Sequence, residues 1–225
     1  MQSRPAAERR EELVALYRET SGCVRCPLHE GRTNVVFGNG NADADLMFVG
    51  EAPGHHEDLQ GLPFVGRAGQ LLDQLLEEIG RSRKDVFVAN VLKCRPPGNR
   101  DPQPDEIDTC KPYLNRQIEL IEPKVICTLG NFATKLLTRS NRGITSVHGR
   151  PQVQELGGRA VRVYPLYHPA AALRSTGTLG QLREDFARLP ALLEEPPPVP
   201  IGAVAPVAAA VAPADPEPSQ MGFFG

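Results

Sequence analysis

Asp45-Leu-Met-Phe-Val-Gly50 runs directly into Glu51-Ala-Pro-Gly54, and together they read as a β-strand opening onto a glycine-rich turn. Working outward, leucines at 71, 72, 75 and 76 place a helix over residues 66–79, stopped by Gly80. Further strands are read at 85–92, 124–129 and 161–166, with helices at 104–122, 131–138 and 180–193 between and after them. An opening helix over 6–19 carries Leu13, Leu16 and Tyr17 as its buried stripe. Strands alternating with helices predict an α/β fold, a three-layer αβα sandwich around a central four-stranded parallel sheet. In such sheets the ligand crevice lies beyond the carboxyl ends of the strands. Glu51, Asn90 and His168 each sit at or just after such an end, so the three are expected to converge on one crevice.

The 225 residues, 40% of them hydrophobic, suit one sizeable domain, placed at residues 1–195. Residues 1–10 carry charge where a signal peptide needs an apolar region, and no later run reaches the length of a membrane span. A soluble, cytoplasmic protein with no membrane partner is therefore expected. The formal charge of −2 is uneven: residues 1–193 hold 25 basic and 23 acidic side chains, a net +2. Binding to nucleic acid would then depend on a local basic face rather than a global field.

Four of the five cysteines form a split quartet, Cys23-x2-Cys26 followed by Cys94 and Cys110. In a reducing compartment this points to a bound metal centre, and the spacing satisfies a tetrahedral zinc site as well as a [4Fe–4S] cube. Cys127, in the apolar run Lys124-Val-Ile-Cys-Thr-Leu129, reads as a small buried hydrophobe outside that centre. From Pro196 the composition changes: eight of the 22 prolines lie in the last 30 residues, interleaved with Ala and Val. Residues 196–225 thus read as a disordered tail, ending in the aromatic anchor Gln220-Met221-Gly222-Phe223-Phe224.

Gly50-Glu-Ala-Pro-Gly54, Gly61-Leu-Pro-Phe-Val-Gly-Arg-Ala-Gly69, Asn90-Val-Leu-Lys-Cys-Arg-Pro-Pro97, the cysteine quartet and His168-Pro-Ala-Ala-Ala-Leu-Arg174 follow one another in an order that resembles the family 4 uracil-DNA glycosylases. These are the iron–sulfur branch of the uracil-DNA glycosylase superfamily, and the resemblance covers residues 20–193. It implies a structural [4Fe–4S] cluster on Cys23, Cys26, Cys94 and Cys110, with zinc as the alternative. It also implies hydrolysis of the bond between deoxyribose and uracil in DNA, leaving an abasic site.

The implied roles suit the residues. Asn90 reads uracil N3 and O4, and His168 donates to O2 as charge develops on the leaving base. Phe64 stacks on the extruded base, with Gly50 and Glu57 in the same base-binding set and Glu57 set against the thymine methyl. Glu51 orients the attacking water. Leu173 fills the gap left by the flipped base, and Arg174, Lys93, Arg95 and Arg100 are candidates for phosphate contacts. Arg81, Arg83 and Lys84 read instead as a solvated helix end.

Other chemistries fit less well. The chain has no G-x-x-x-x-G-K-[ST] phosphate loop. A Schiff-base enzyme would need a desolvated lysine in the crevice, and Lys93 is the only nearby candidate, so a monofunctional enzyme is expected. No histidine lies between Cys94 and Cys110, which counts against covalent trapping of uracil-DNA. A non-turnover uracil-DNA binder or a metal-stabilised DNA-binding protein is the remaining alternative. The terminal Gln220, Met221, Phe223 and Phe224 resemble the short peptide by which bacterial repair proteins dock on the replication sliding clamp. A linker over 196–219 would reach at most about 70 Å. The protein itself is expected to be a monomer.

Overall fold

The computed structural model describes residues 4–198 of the chain. The sequence opens with α1 (Ala6–Ser21), the short α2 (Leu28–Gly31) and a two-residue edge strand, β1 (Asn39–Gly40). The apolar run leading to Gly50 is β2 (Leu46–Gly50), followed by α3 (His55–Gln60), α4 (Arg67–Glu78) and β3 (Val86–Asn90). A 3-10 turn at Pro97–Asn99 leads into α5 (Pro104–Ile121), β4 (Val125–Leu129), α6 (Asn131–Thr138) and α7 (Ile144–Val147). The hairpin β5 (Gln152–Leu156) and β6 (Arg159–Leu166) then delivers α8 (Pro169–Ala172), α9 (Thr176–Ala187) and α10 (Leu189–Glu194).

The six strands lie in the order β1-β3-β2-β4-β6-β5. The four central strands β3, β2, β4 and β6 are mutually parallel, as the alternation of strands and helices predicts. Antiparallel edges flank them, β1 on β3 and β5 on β6. These two edges escape the sequence reading for physical reasons. β1 is too short to show a pattern, and β5 (Gln-Val-Gln-Glu-Leu) is mostly polar because only Leu156 is buried.

Every residue of β2, β3 and β4 is buried, as parallel strands covered on both faces must be. Alternation along β2 divides the core. Leu46 and Phe48 face Leu72 and Leu75 of α4 and Phe186 of α9. Met47 and Val49 face the other layer, with Leu13 and Leu16 of α1, Leu114 and Ile118 of α5, and Ala133 of α6. Tyr17 does not join this layer; it is 51% exposed and only its ring edge meets Phe37. The last helix also differs from the expected 180–193. It begins at Thr176, where Ser175 Oγ accepts from Thr178 N at 3.2 Å, and it breaks at Arg188 because Pro190 opens the next helix.

The strand order sets the position of the crevice. β2 has β3 on one side and β4 on the other, so the chain leaves it first in one direction and then crosses to the opposite one. That reversal is the switch point of a doubly wound sheet, and the connections diverge there to leave a cleft beyond the carboxyl end of β2. Glu51 is the first residue past it. The sequence reading of Gln220, Met221, Phe223 and Phe224 concerns residues outside those described.

Candidate active site

A cavity of about 440 Å³ opens at the switch point, bounded by Glu51, Pro53, Glu57, Phe64, Asn90 and His168 among others. The three strand-end residues therefore do converge, and Phe64 and Glu57 join them. Gly50 lies at the same place as the last residue of β2, paired in register with Asn90.

Asn90 ends β3 and is 2% exposed, yet its Oδ1 is buried with no hydrogen-bond partner. An acceptor in that condition costs roughly 1–3 kcal/mol, and few native polar atoms are left so. Gly50 makes its placement possible. A Cβ on Gly50 would stand 2.4 Å from Asn90 Oδ1 and 2.8 Å from the Phe64 ring, so any side chain there would push both out of place.

Lys93 holds Asn90 from below. Its Nζ donates to Asn90 O at 2.8 Å and to Gln117 Oε1 at 2.6 Å, while Gln117 Nε2 donates to Phe37 O at 2.9 Å. Lys93 is 1% exposed, so the expectation that it touches a DNA phosphate is wrong. Leu92 and Cys94 on either side are buried too, and the lysine is carried inward with them. Burial lowers its pKa to about 8, against an opposing effect of Cys110.

His168 caps α8, and its Nδ1 accepts from Ala170 N at 3.0 Å. The neutral ring must then carry its proton on Nε2. Burial lowers the pKa to about 4, with Glu57 acting in the other direction, so the imidazole is neutral near pH 7. Its ring lies beside that of Phe64, with centroids 5.7 Å apart and planes inclined by 26°. Phe64 itself has φ 55°, a left-handed backbone that bulky residues rarely adopt. Glu57 supports this turn: its Oε1 accepts from Val65 N at 3.1 Å and from Gly66 N at 3.2 Å.

Glu51 is half-buried, and burial, followed by the nearby charge of Asp101, raises its pKa above 4.5. With His168 it also lines a second recess, which holds Asp101, Phe132 and Lys135, so these two residues form the partition between two spaces. Leu173 and Arg174 follow α8 and are exposed, Leu173 by 41%. Arg95 is half-buried beside the 3-10 turn; its Nε donates to Asn99 Oδ1 at 2.7 Å and its Nη1 lies 3.0 Å from His55 Nδ1. Arg100 is engaged by Glu106 through its two terminal guanidinium nitrogens, Nη1 and Nη2.

Cys23, Cys26, Cys94 and Cys110 are free thiols lining one pocket together with Arg25, Arg32, Lys93 and Tyr113. Among the described residues no group of three or more Cys, His, Asp or Glu is arranged to hold a single metal ion. The donor set nevertheless suits a larger cationic group. Lys93 N donates to Cys110 Sγ at 3.3 Å and Arg32 Nη1 to Cys94 Sγ at 3.4 Å, and Arg25 stands over the Tyr113 ring at 4.2 Å. Such N–H donors favour thiolate sulfur. Burial opposes ionisation of Cys26, Cys94 and Cys110 and pushes Cys110 up to about 11, while at Cys23 burial is outweighed by hydrogen bonds from Tyr113 and Arg25, so the other three thiolates need a metal-bearing partner to balance them. Cys127, wholly buried in β4, stays apart from this pocket.

The carbonyl anchor that Lys93 gives Asn90, the fixed tautomer of His168 and the use of Glu57 on the Phe64 turn were not visible in the sequence. The one available signal was a lysine inside the otherwise apolar stretch Val91-Leu-Lys-Cys94.

Residues 37–189 match the family model described as the Uracil DNA glycosylase superfamily. The chain is 47% identical over 184 residues to the type-4 uracil-DNA glycosylase of Sulfurisphaera tokodaii, covering 80% of this chain and 84% of that one. It is 49% identical over 168 residues to the type-4 enzyme of Thermotoga maritima, covering 74% and 86%. The type-5 uracil-DNA glycosylase of Pyrobaculum aerophilum is more distant, at 30% over 155 residues. With these identities and this site, the chain belongs to the uracil-DNA glycosylase superfamily and, within it, to the type-4 uracil-DNA glycosylases.

Proposed function

We propose that the protein is a monofunctional DNA repair enzyme that hydrolyses the N-glycosidic bond of deoxyuridine in DNA, releasing uracil and leaving an abasic site. The observation that carries this reading is the buried, unpartnered Oδ1 of Asn90, a residue that lines a cavity of about 440 Å³. Uracil presents N3–H as a donor beside the O4 acceptor, so one amide can accept from the first and donate to the second. Cytosine presents the reverse pattern and leaves Asn90 mismatched.

Bond cleavage leaves an oxocarbenium-like sugar and a uracil anion. The Nε2–H of neutral His168 donates to O2 as that charge develops, and such a donor contributes about 2.7–4 kcal/mol in comparable sites. Phe64 stacks on the extruded base, Glu57 holds the turn that carries Phe64 and limits room at the base C5 position, and Gly50 keeps the cavity floor open. Glu51, as a carboxylate, orients the attacking water. Leu173 fills the gap in the base stack, and Arg174 and Arg95 contact phosphates.

The four cysteines hold a [4Fe–4S] cluster, whose contribution when bound is structural: it ties the segment after α1 to the loop bearing Arg95. Zinc is the alternative. The protein works as a cytoplasmic monomer, nucleoid-associated when on DNA. Gln220, Met221, Phe223 and Phe224 dock on the sliding clamp.

The first test is uracil release from a uracil-containing oligonucleotide, with thymine and cytosine controls. Release is expected from uracil alone, falling about 100- to 1000-fold in Asn90→Ala; no release by the wild type would end the reading. Protein purified without oxygen is expected to be brown, absorbing broadly at about 400 nm, and Cys110→Ala to be colourless. A colourless wild type containing zinc would select the other metal.

The pH dependence separates Glu51 from His168. Only ionised Glu51 is active, so kcat/KM should fall as pH drops through a value above 4.5, a limb that Glu51→Gln removes. His168, at about 4, should give no inflection near 6.5; an inflection there that vanishes in His168→Gln would show an ordinary histidine. Deleting residues 220–224 should abolish clamp binding while leaving excision on short oligonucleotides unchanged, and persistent binding would rule the tail out.

A further inference from the structure

Arg83 lies in the turn between α4 and β3, where the sequence alone suggests a solvated helix end shared with Arg81 and Lys84. Its guanidinium is not free in solvent. Nη2 donates to Phe64 O at 2.9 Å and to Gly69 O at 3.3 Å, while Nε pairs with Asp73. Two carbonyl oxygens and a carboxylate thus share one cation, an arrangement that suits the planar fork of arginine and not the single ammonium of lysine.

The carbonyl it holds belongs to the residue with the least favourable backbone around the cavity. Phe64 has φ 55° and keeps that conformation only because the surroundings fix it. On one side Glu57 takes the next two N–H groups, Val65 and Gly66. Beneath, Gly69 lies so close that a Cβ there would be 1.7 Å from Phe64 O. Arg83 closes the remaining side. The Gly69 carbonyl belongs to α4 and keeps its helical partner, but without Arg83 the Phe64 carbonyl would lose its donor, and the turn could relax toward an ordinary φ and swing the ring away from His168.

We propose that Arg83 is a positioning residue for uracil binding: by holding the Phe64 carbonyl from outside the cavity, it fixes the plane on which the extruded base stacks. This deepens the glycosylase reading and rests on it. Stacking acts on the bound base in both ground and transition states, so its loss should appear mainly in KM and in inhibition by free uracil rather than in kcat.

The experiment measures kcat, KM and the inhibition constant of free uracil on a single-stranded uracil oligonucleotide. It compares wild type, Arg83→Ala, Arg83→Lys, Phe64→Ala and the Arg83→Ala/Phe64→Ala double variant. Leu72→Ala, a core change in α4, serves as a control for lost stability. Arg83→Ala is expected to raise KM and the uracil inhibition constant about tenfold, with kcat changed less than about threefold. Arg83→Lys should recover part of the loss. In the Phe64→Ala background, Arg83→Ala should change neither constant, because the ring it positions is gone.

An inhibition constant for Arg83→Ala within about twofold of wild type would overturn the proposal. So would an equal effect in both backgrounds, or a matching effect in Leu72→Ala, since each would mean general loosening. If Arg83→Ala fails to fold, Arg83→Lys carries the same comparison in both backgrounds. Failure of the wild type to release uracil would instead reject the glycosylase reading itself, and this inference with it.

Discussion

Asn90 Oδ1 keeps its vacant lone pairs only because nothing nearby can move in to use them. A buried acceptor at the end of a flexible segment would find a backbone N–H within its reach. Here the side chain hangs from the end of a fully buried strand whose register with β2 is fixed over five paired residues. Opposite stands a glycine with no side chain to donate or intrude, and below is an ammonium locked onto the Asn90 carbonyl. The parallel sheet, the switch point beside β2 and the glycine at its tip can all be read as conditions for holding this one atom ready. The stability forgone at Asn90 is small beside the apolar burial on both faces of the sheet, so the fold tolerates it.

Lys93 joins two regions that the sequence presents as separate. Its side chain supports Asn90, and its backbone N–H is directed at Cys110 Sγ. A group filling the thiol pocket would therefore steady the residue that steadies Asn90. A cluster bound there would have a structural task close to Asn90 without entering any reaction step. The contact with Asn90 also explains why a lysine next to Cys94 does not reach the surface. Its charge is spent inside, on Asn90 O and Gln117 Oε1, while Arg95 two residues later stays near the surface.

Much of this was legible in the chain because parallel strands leave a strong record. The runs at 46–50, 86–89 and 125–129 are almost wholly apolar since both faces are covered, and polar residues at or just past the ends of the first two, Glu51 and Asn90, mark the crevice. What escaped reading depends on contacts between residues far apart in sequence. Nothing near Arg83 announces that its guanidinium reaches back to Phe64, nineteen residues earlier. Nothing near His168 tells which ring nitrogen is occupied until α8 turns to offer Ala170 N. Tyr17 shows the opposite error, where helical spacing suggested burial but α1 meets the core through only a narrow stripe at Leu13, Leu16 and Thr20.

The two short antiparallel strands at the margins bear on how the molecule keeps company with copies of itself. An open parallel sheet presents rows of unpaired main-chain groups on which a neighbouring polypeptide can grow. One margin here is only Asn39-Gly40, too brief to template an added strand. The other, Gln152–Leu156, has half-buried glutamines on one face and the exposed Glu155 on the other, so a second sheet laid alongside would have to desolvate amides or a carboxylate. Lateral growth is discouraged at both ends of the sheet.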